Sequence, residues 1–106
     1  MKKVLLCRVG ELTEGEVRQV SAPGFEEDFA VYMMDGQYFA SDDLCTHGMV
    51  SLSAGEIVDG QIFCPLHDGA FDIRTGKATV LPCRIALKIY AVSVEDGNVF
   101  GLVPQD

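Results

Sequence analysis

The stretch Glu56-Ile57-Val58-Asp59-Gly60-Gln61-Ile62-Phe63-Cys64-Pro65-Leu66-His67 decides the fold. Two short apolar runs flank Asp59-Gly60, a pair suited to a type I′ turn because both central residues must take positive φ. The outgoing run, 61–63, leads straight into a Cys-x-x-His pair, so two metal-ligating side chains are carried at the end of a rigid ribbon. The same turn signal recurs on either side. Asp35-Gly36 separates apolar residues 28–34 from 37–40, and Asp96-Gly97 separates 87–94 from 98–103. Residues 3–9 and 16–20 read as two further strands. Ala22-Pro23-Gly24 is a loop, and Arg74-Thr75-Gly76-Lys77 is a turn joining two more short strands. No stretch sustains a helical period, so the expected fold is all-β and antiparallel. The chain shows no internal repeat, low-complexity tract or linker.

A second ligand pair, Cys45-Thr46-His47, lies sixteen residues before Cys64, and the two pairs contain both histidines of the chain. Four soft or borderline ligands arriving two by two on two loops point to a metal centre. Zinc accepts two thiolates and two imidazoles in a tetrahedron. A Rieske-type 2Fe–2S cluster needs two cysteines on one iron and two histidines on the other. Both loops here carry cysteine before histidine, at offsets of two and three, so each loop can serve both irons. Zinc-finger pairs usually join Cys with Cys and His with His, so the mixed pairs fit the split iron pair better.

Cys45-Thr46-His47-Gly48 and Cys64-Pro65-Leu66-His67 resemble the two boxes of Rieske iron–sulfur proteins. Ser51-Leu52-Ser53-Ala54-Gly55, Gly69-Ala70-Phe71-Asp72 and Arg74-Thr75-Gly76-Lys77-Ala78 are similar to the small ferredoxins of bacterial aromatic-ring dioxygenases. The likeness covers nearly the whole chain and is strongest over 38–83. It implies one [2Fe-2S] cluster held by Cys45, His47, Cys64 and His67. It also implies a β-sandwich with a small cluster-binding subdomain, about 44–83, at the tip of a single domain, 1–106. Where Rieske proteins of the cytochrome bc complexes carry two extra cysteines, this chain has Val50 and Leu66, so no disulfide braces the loops. A hydroxyl that donates towards the cluster in those proteins is replaced by Ala70. Fewer hydrogen bonds to sulfur leave the reduced state less stabilised, which implies the lower part of the Rieske potential range. Leu81-Pro82-Cys83 sits where related proteins place a proline-bearing loop against the cluster, although an ordinary strand start is the other reading of Pro82.

Composition bounds the remaining options. A chain of 106 residues, 48% hydrophobic and 23% charged, suits one globular domain with one core. No run is long enough to span a bilayer. The apolar run 4–7 after Met1-Lys2-Lys3 is too short for a signal sequence. The cysteines are therefore read as cytoplasmic, with Cys7 a buried structural thiol and Cys83 no ligand. Met33 and Met34 are read as core packing. The net charge of −8 argues against nucleic acid. It suits either a plain solvated surface or steering towards basic patches on redox partners. Asp42, Asp43, Asp68 and Asp72, near the boxes, are expected on a solvated rim that orients partners. Met49, Val50 and Leu66 are expected to shield the sulfurs and offer an apolar contact.

Charge counting gives the chemistry. Two ferric ions, two sulfides, two thiolates and two neutral imidazoles sum to zero, and one electron makes the centre negative. An all-cysteine cluster starts at a charge of −2, so histidine ligation raises the potential. Proton affinity at His47 and His67 is expected to rise on reduction, so the potential should fall with pH in alkaline solution. The centre is a carrier, and no catalytic constellation, phosphate loop or nucleotide fingerprint accompanies it. The resemblance implies a flavoprotein ferredoxin reductase, fed by NADH or NADPH, as electron donor and a terminal aromatic-ring oxygenase as acceptor. It implies neither nucleic acid nor membrane as partner. Two rivals stand beside this: a permanent small subunit of a larger reductase, of the nitrite reductase small-subunit type, and a structural zinc module.

Overall fold

The structure is a computed structural model and describes residues 1–66 and 68–104. Ten antiparallel strands form two sheets. The larger is built from β1 (Lys2–Arg8), β2 (Val17–Val20), β3 (Phe29–Met34), β4 (Gln37–Asp42), β9 (Ile89–Glu95) and β10 (Asn98–Val103), in the order β1-β10-β9-β4-β3-β2. Its two halves are joined through Ala40↔Tyr90 and Ser41↔Ile89, with the Asp42 N–H donating to the Lys88 carbonyl beside them. At that narrow join the sheet folds over itself. Val4 and Leu6 of β1 then share a core with Phe29 and Val31 of β3 and Val99 of β10. This is a β-sandwich, as the sequence implies.

The smaller sheet is a meander of four three-residue strands, β5 (Glu56–Val58), β6 (Gln61–Phe63), β7 (Ala70–Asp72) and β8 (Ala78–Val80). One 3₁₀ turn, Leu52–Ala54, leads into it, and there is no α-helix among the described residues. The three Asp-Gly pairs read as hairpin turns make the turns expected of them. Both residues have positive φ at Asp35-Gly36 (55°, 71°), Asp59-Gly60 (50°, 77°) and Asp96-Gly97 (50°, 78°).

The expectation of a single core is corrected. Strand β3 is apolar on both faces, Phe-Ala-Val-Tyr-Met-Met, and side chains alternate along a strand. Phe29 and Val31 enter the sandwich core, while Ala30, Tyr32 and Met34 enter a second core with Leu52, Ile62, Phe71 and Leu87. Met33 packs against the first core and Met34 is buried in the second, so both methionines are packing residues. Leu87 was expected inside a strand. Instead it turns inward, donating its N–H to the Gly76 carbonyl at 2.7 Å, and β9 starts two residues later. That second core also contains Cys45, Cys64 and Cys83, so β3 is the wall between the sandwich and the ligand loops.

Candidate metal centre

Two loops project from the second core, and they are built alike. The N–H of Cys45 donates to the carbonyl of Val50 at 3.0 Å, and the N–H of Cys64 donates to the carbonyl of Gly69 at 2.7 Å. Each cysteine thus opens a six-residue loop closed by a bond to the fifth residue on. The first loop is extended by an isolated bridge between Leu44 and Ser51. The second grows directly from β6, as the hairpin reading predicts.

The loops touch each other. A Cβ built on Gly48 would lie 2.9 Å from Leu66 Cδ2, so the absence of a side chain at Gly48 lets the second loop press against the first. Leu66 and Val50 are partly buried against the second core. All four cysteines are free thiols, and apolar packing by Val50 and Leu66 takes the place of a disulfide brace. A further tie runs from Thr46 Oγ1 to the Ile85 carbonyl at 2.7 Å.

Behind the loops, Cys45 is 2% exposed and Cys64 is fully buried, whereas His47 lies on the surface. Among the described residues of the two pairs, the sulfurs lie inside and the His47 imidazole outside. The Cys45 and Cys64 side chains interact directly. Burial and then the neighbouring Cys45 push the Cys64 thiol up to about 11. Such a proton is what a metal ion displaces when a thiolate ligand forms. Among the described residues, no three histidine, cysteine or acidic side chains converge tightly enough to hold one ion. His67 lies outside the described residues. Two buried facing thiols with an imidazole on the outer side suit a two-iron cluster.

A model of the Rieske [2Fe-2S] domain matches residues 2–91. The chain belongs to the Rieske family. It is 41% identical over 107 residues to the 3-phenylpropionate/cinnamic acid dioxygenase ferredoxin subunit of Photorhabdus laumondii, covering 100% of this chain and 99% of that protein. The ferredoxin of Sphingomonas yanoikuyae B1 shares the Rieske fold at a TM-score of 0.91 and 42% identity, covering 97% of this chain and 100% of that one. A chain in the complex of reduced oxygenase and oxidised ferredoxin of carbazole 1,9a-dioxygenase aligns at 0.88 with 35% identity, over 93% of this chain and 91% of that chain.

The surroundings of this Rieske site differ from expectation in two ways and settle between two readings in a third. The acidic residues do not form a common solvated rim. Asp43 is 2% exposed and accepts the Ser53 N–H at 2.8 Å, holding the 3₁₀ turn beside the first loop. Asp42 accepts the Tyr90 hydroxyl at 2.5 Å, and Asp72 accepts the N–H groups of Arg74 and Thr75 in the β7–β8 turn. Only Asp68, with φ of 57°, is exposed. Short acidic side chains are favoured where backbone N–H groups must be satisfied in turns, a signal readable in the sequence but assigned there to solvent.

The apolar surface also differs. Met49 is 87% exposed, as a contact residue should be, but its exposed companions are Leu81 and Ile85 rather than Val50 and Leu66. Finally, Leu81-Pro82 forms a loop rather than a strand start, with Pro82 Cδ 3.2 Å from where a Gly69 Cβ would stand. Cys83 is thereby brought against the second ligand loop.

Proposed function

We propose that this protein is a soluble, cytoplasmic one-electron carrier of an aromatic-ring dioxygenase system, with Cys45, His47, Cys64 and His67 as the cluster ligands. Its chain is one Rieske domain, 1–106, in which a subdomain of about 44–83 holds the cluster. When bound, a Rieske cluster accepts and returns a single electron at a potential raised by its histidine ligands. Electrons come from a flavoprotein ferredoxin reductase and pass to a terminal aromatic-ring oxygenase.

The observation that carries the reading is the matched pair of loops. Each opens at a buried cysteine, and the first presents an exposed histidine two residues on. Burial of Cys45 and Cys64 keeps water from the sulfur end. Exposure of His47 gives a short path for the electron to a docked partner. Met49 on the first loop, and Ile85, whose carbonyl is tied to that loop, leave exposed apolar groups of the kind partners cover. No helix among the described residues is long and apolar enough to cross a membrane, which agrees with a freely diffusing carrier.

The test is turnover. Purified protein, mixed with a flavoprotein reductase, NADH and the terminal oxygenase of a related dioxygenase system, should restore aromatic hydroxylation in proportion to the protein added. The bimolecular rate of reduction by the reductase should fall as salt rises, because surface charges of a protein at −8 are screened over about 8 Å at physiological ionic strength. A protein that takes up no electron from the reductase, or whose rate ignores salt, contradicts the carrier reading or its electrostatic part respectively.

A further inference from the structure

Cys83 is a third buried thiol at the centre, and the four ligand places do not need it. It is 3% exposed and belongs to the same core as Cys45 and Cys64. Its side chain interacts with that of Cys45 and lies near Cys64. A Cβ on Gly69 would stand 2.5 Å from Cys83 Sγ and 3.0 Å from Cys83 N. The Cys83 sulfur therefore fills the space that Gly69 leaves empty, directly against the loop closed by the Cys64–Gly69 bond. The backbone holds it there. The Cys83 N–H donates to the Val80 carbonyl at 3.2 Å, and the Ile85 carbonyl, two residues on, accepts the Thr46 hydroxyl. One short segment is thus fastened to both ligand loops.

We propose that Cys83 is a positioning residue for the redox couple, its S–H donating a hydrogen bond to the Cys45 sulfur and stabilising the reduced protein. This inference rests on the reading of Cys45 as a ligand. A thiol carries one proton that it can donate. A ligand sulfur carries negative charge, and more of it after an electron is added, so a donor to that sulfur favours the reduced state. The neighbouring place for a hydroxyl donor is taken by Ala70, which is fully buried and offers none. A thiol is a weak donor, so the effect is modest.

The test compares Cys83→Ala, Cys83→Val and Cys83→Ser with the wild type, all loaded with the cluster, by spectroelectrochemical titration and infrared spectroscopy. Alanine and valine should shift the redox equilibrium roughly threefold towards the oxidised form, about 28 mV at 59 mV per decade for one electron. Serine, which keeps a donor, should match or exceed the wild-type potential. Cys7 is a second buried free thiol, so the wild type should show an S–H stretch in addition to that of Cys7, and the variants should lose that added band alone. Unchanged potentials in alanine and valine, a serine variant that falls as far as alanine, or an S–H spectrum that does not change on substitution of Cys83 would each overturn the inference. If alanine and valine do not load, the serine potential and the S–H band decide it. A wild type without a Rieske-type paramagnetic signal overturns the ligand reading itself. A normal signal with potentials insensitive to position 83 overturns only the role of Cys83.

Discussion

At the scale of the residue, the loops that carry the proposed ligands are supported by side chains outside that set. Asp43 is the strongest example. It lies two residues before Cys45, nearly without water, and its carboxylate accepts the Ser53 N–H. Its own carbonyl accepts the Leu52 N–H at 2.7 Å, and its N–H donates to the Asp28 carbonyl at 3.0 Å. The first ligand loop is hung from this residue. Asp43→Ala leaves the part-buried Ser53 N–H without its partner and should cost about 1 kcal/mol, measured by denaturant unfolding. Asp43→Asn keeps an acceptor and should recover most of that loss. Equal stability of alanine and wild type would remove Asp43 from the support of the loop. Nothing in the residue types alone distinguishes this buried aspartate from the exposed Asp68, because both stand in polar turn sequence. Only the fold tells them apart.

At the scale of the element, strand β3 does the most. It divides the two cores, and Tyr32, on the face towards the ligand loops, is completely buried, with its hydroxyl 2.7 Å from Ser41 Oγ. Burial, aided by the carboxylates of Asp43 and Asp42, raises the Tyr32 phenol above its ordinary value of 10.0. The sign follows from linkage. Below pH 10.0 the folded and unfolded chains both keep this proton and the stabilisation is complete. Above it the unfolded chain ionises first, so stability is lost as pH rises. Tyr32→Phe should cost about 1 kcal/mol at neutral pH, since Ser41 still has the Asp42 carbonyl at 2.8 Å as acceptor. It should also make the alkaline decline above pH 10.0 shallower than in the wild type. Parallel declines in unfolding experiments across that range would contradict the assignment. The strands and three hairpins were legible because alternation and Asp-Gly turns are local signals. The double use of β3 was not, since a continuous apolar run does not say what lies on each of its faces. Leu87 was misplaced for the same reason. Its sequence suits a strand, and its burial is set by a core assembled from distant segments.

At the scale of the whole molecule, a sandwich serves as a rigid base and a small meander carries the ligand loops against it. The net charge of −8 lies over a molecule whose cysteine donors are all internal. Long-range charge can therefore guide encounters while the chemistry stays shielded from water. The ligand pairs were plain in the sequence because metal chemistry demands particular residue types at short spacing. The third thiol was not, because Cys83 stands far along the chain from both ligand pairs and is brought to them only by the fold. The central claim is a binuclear iron centre with sulfur on its inner side and both imidazoles on its outer side. The chain contains only two histidines, so labelling histidine with nitrogen-15 marks those two residues and no others. Electron–nuclear double resonance of the reduced, labelled protein should show two nitrogen-15 couplings to a Rieske-type iron spin. A protein that holds a single diamagnetic ion, or a reduced iron centre with no histidine nitrogen coupled to it, would contradict the account.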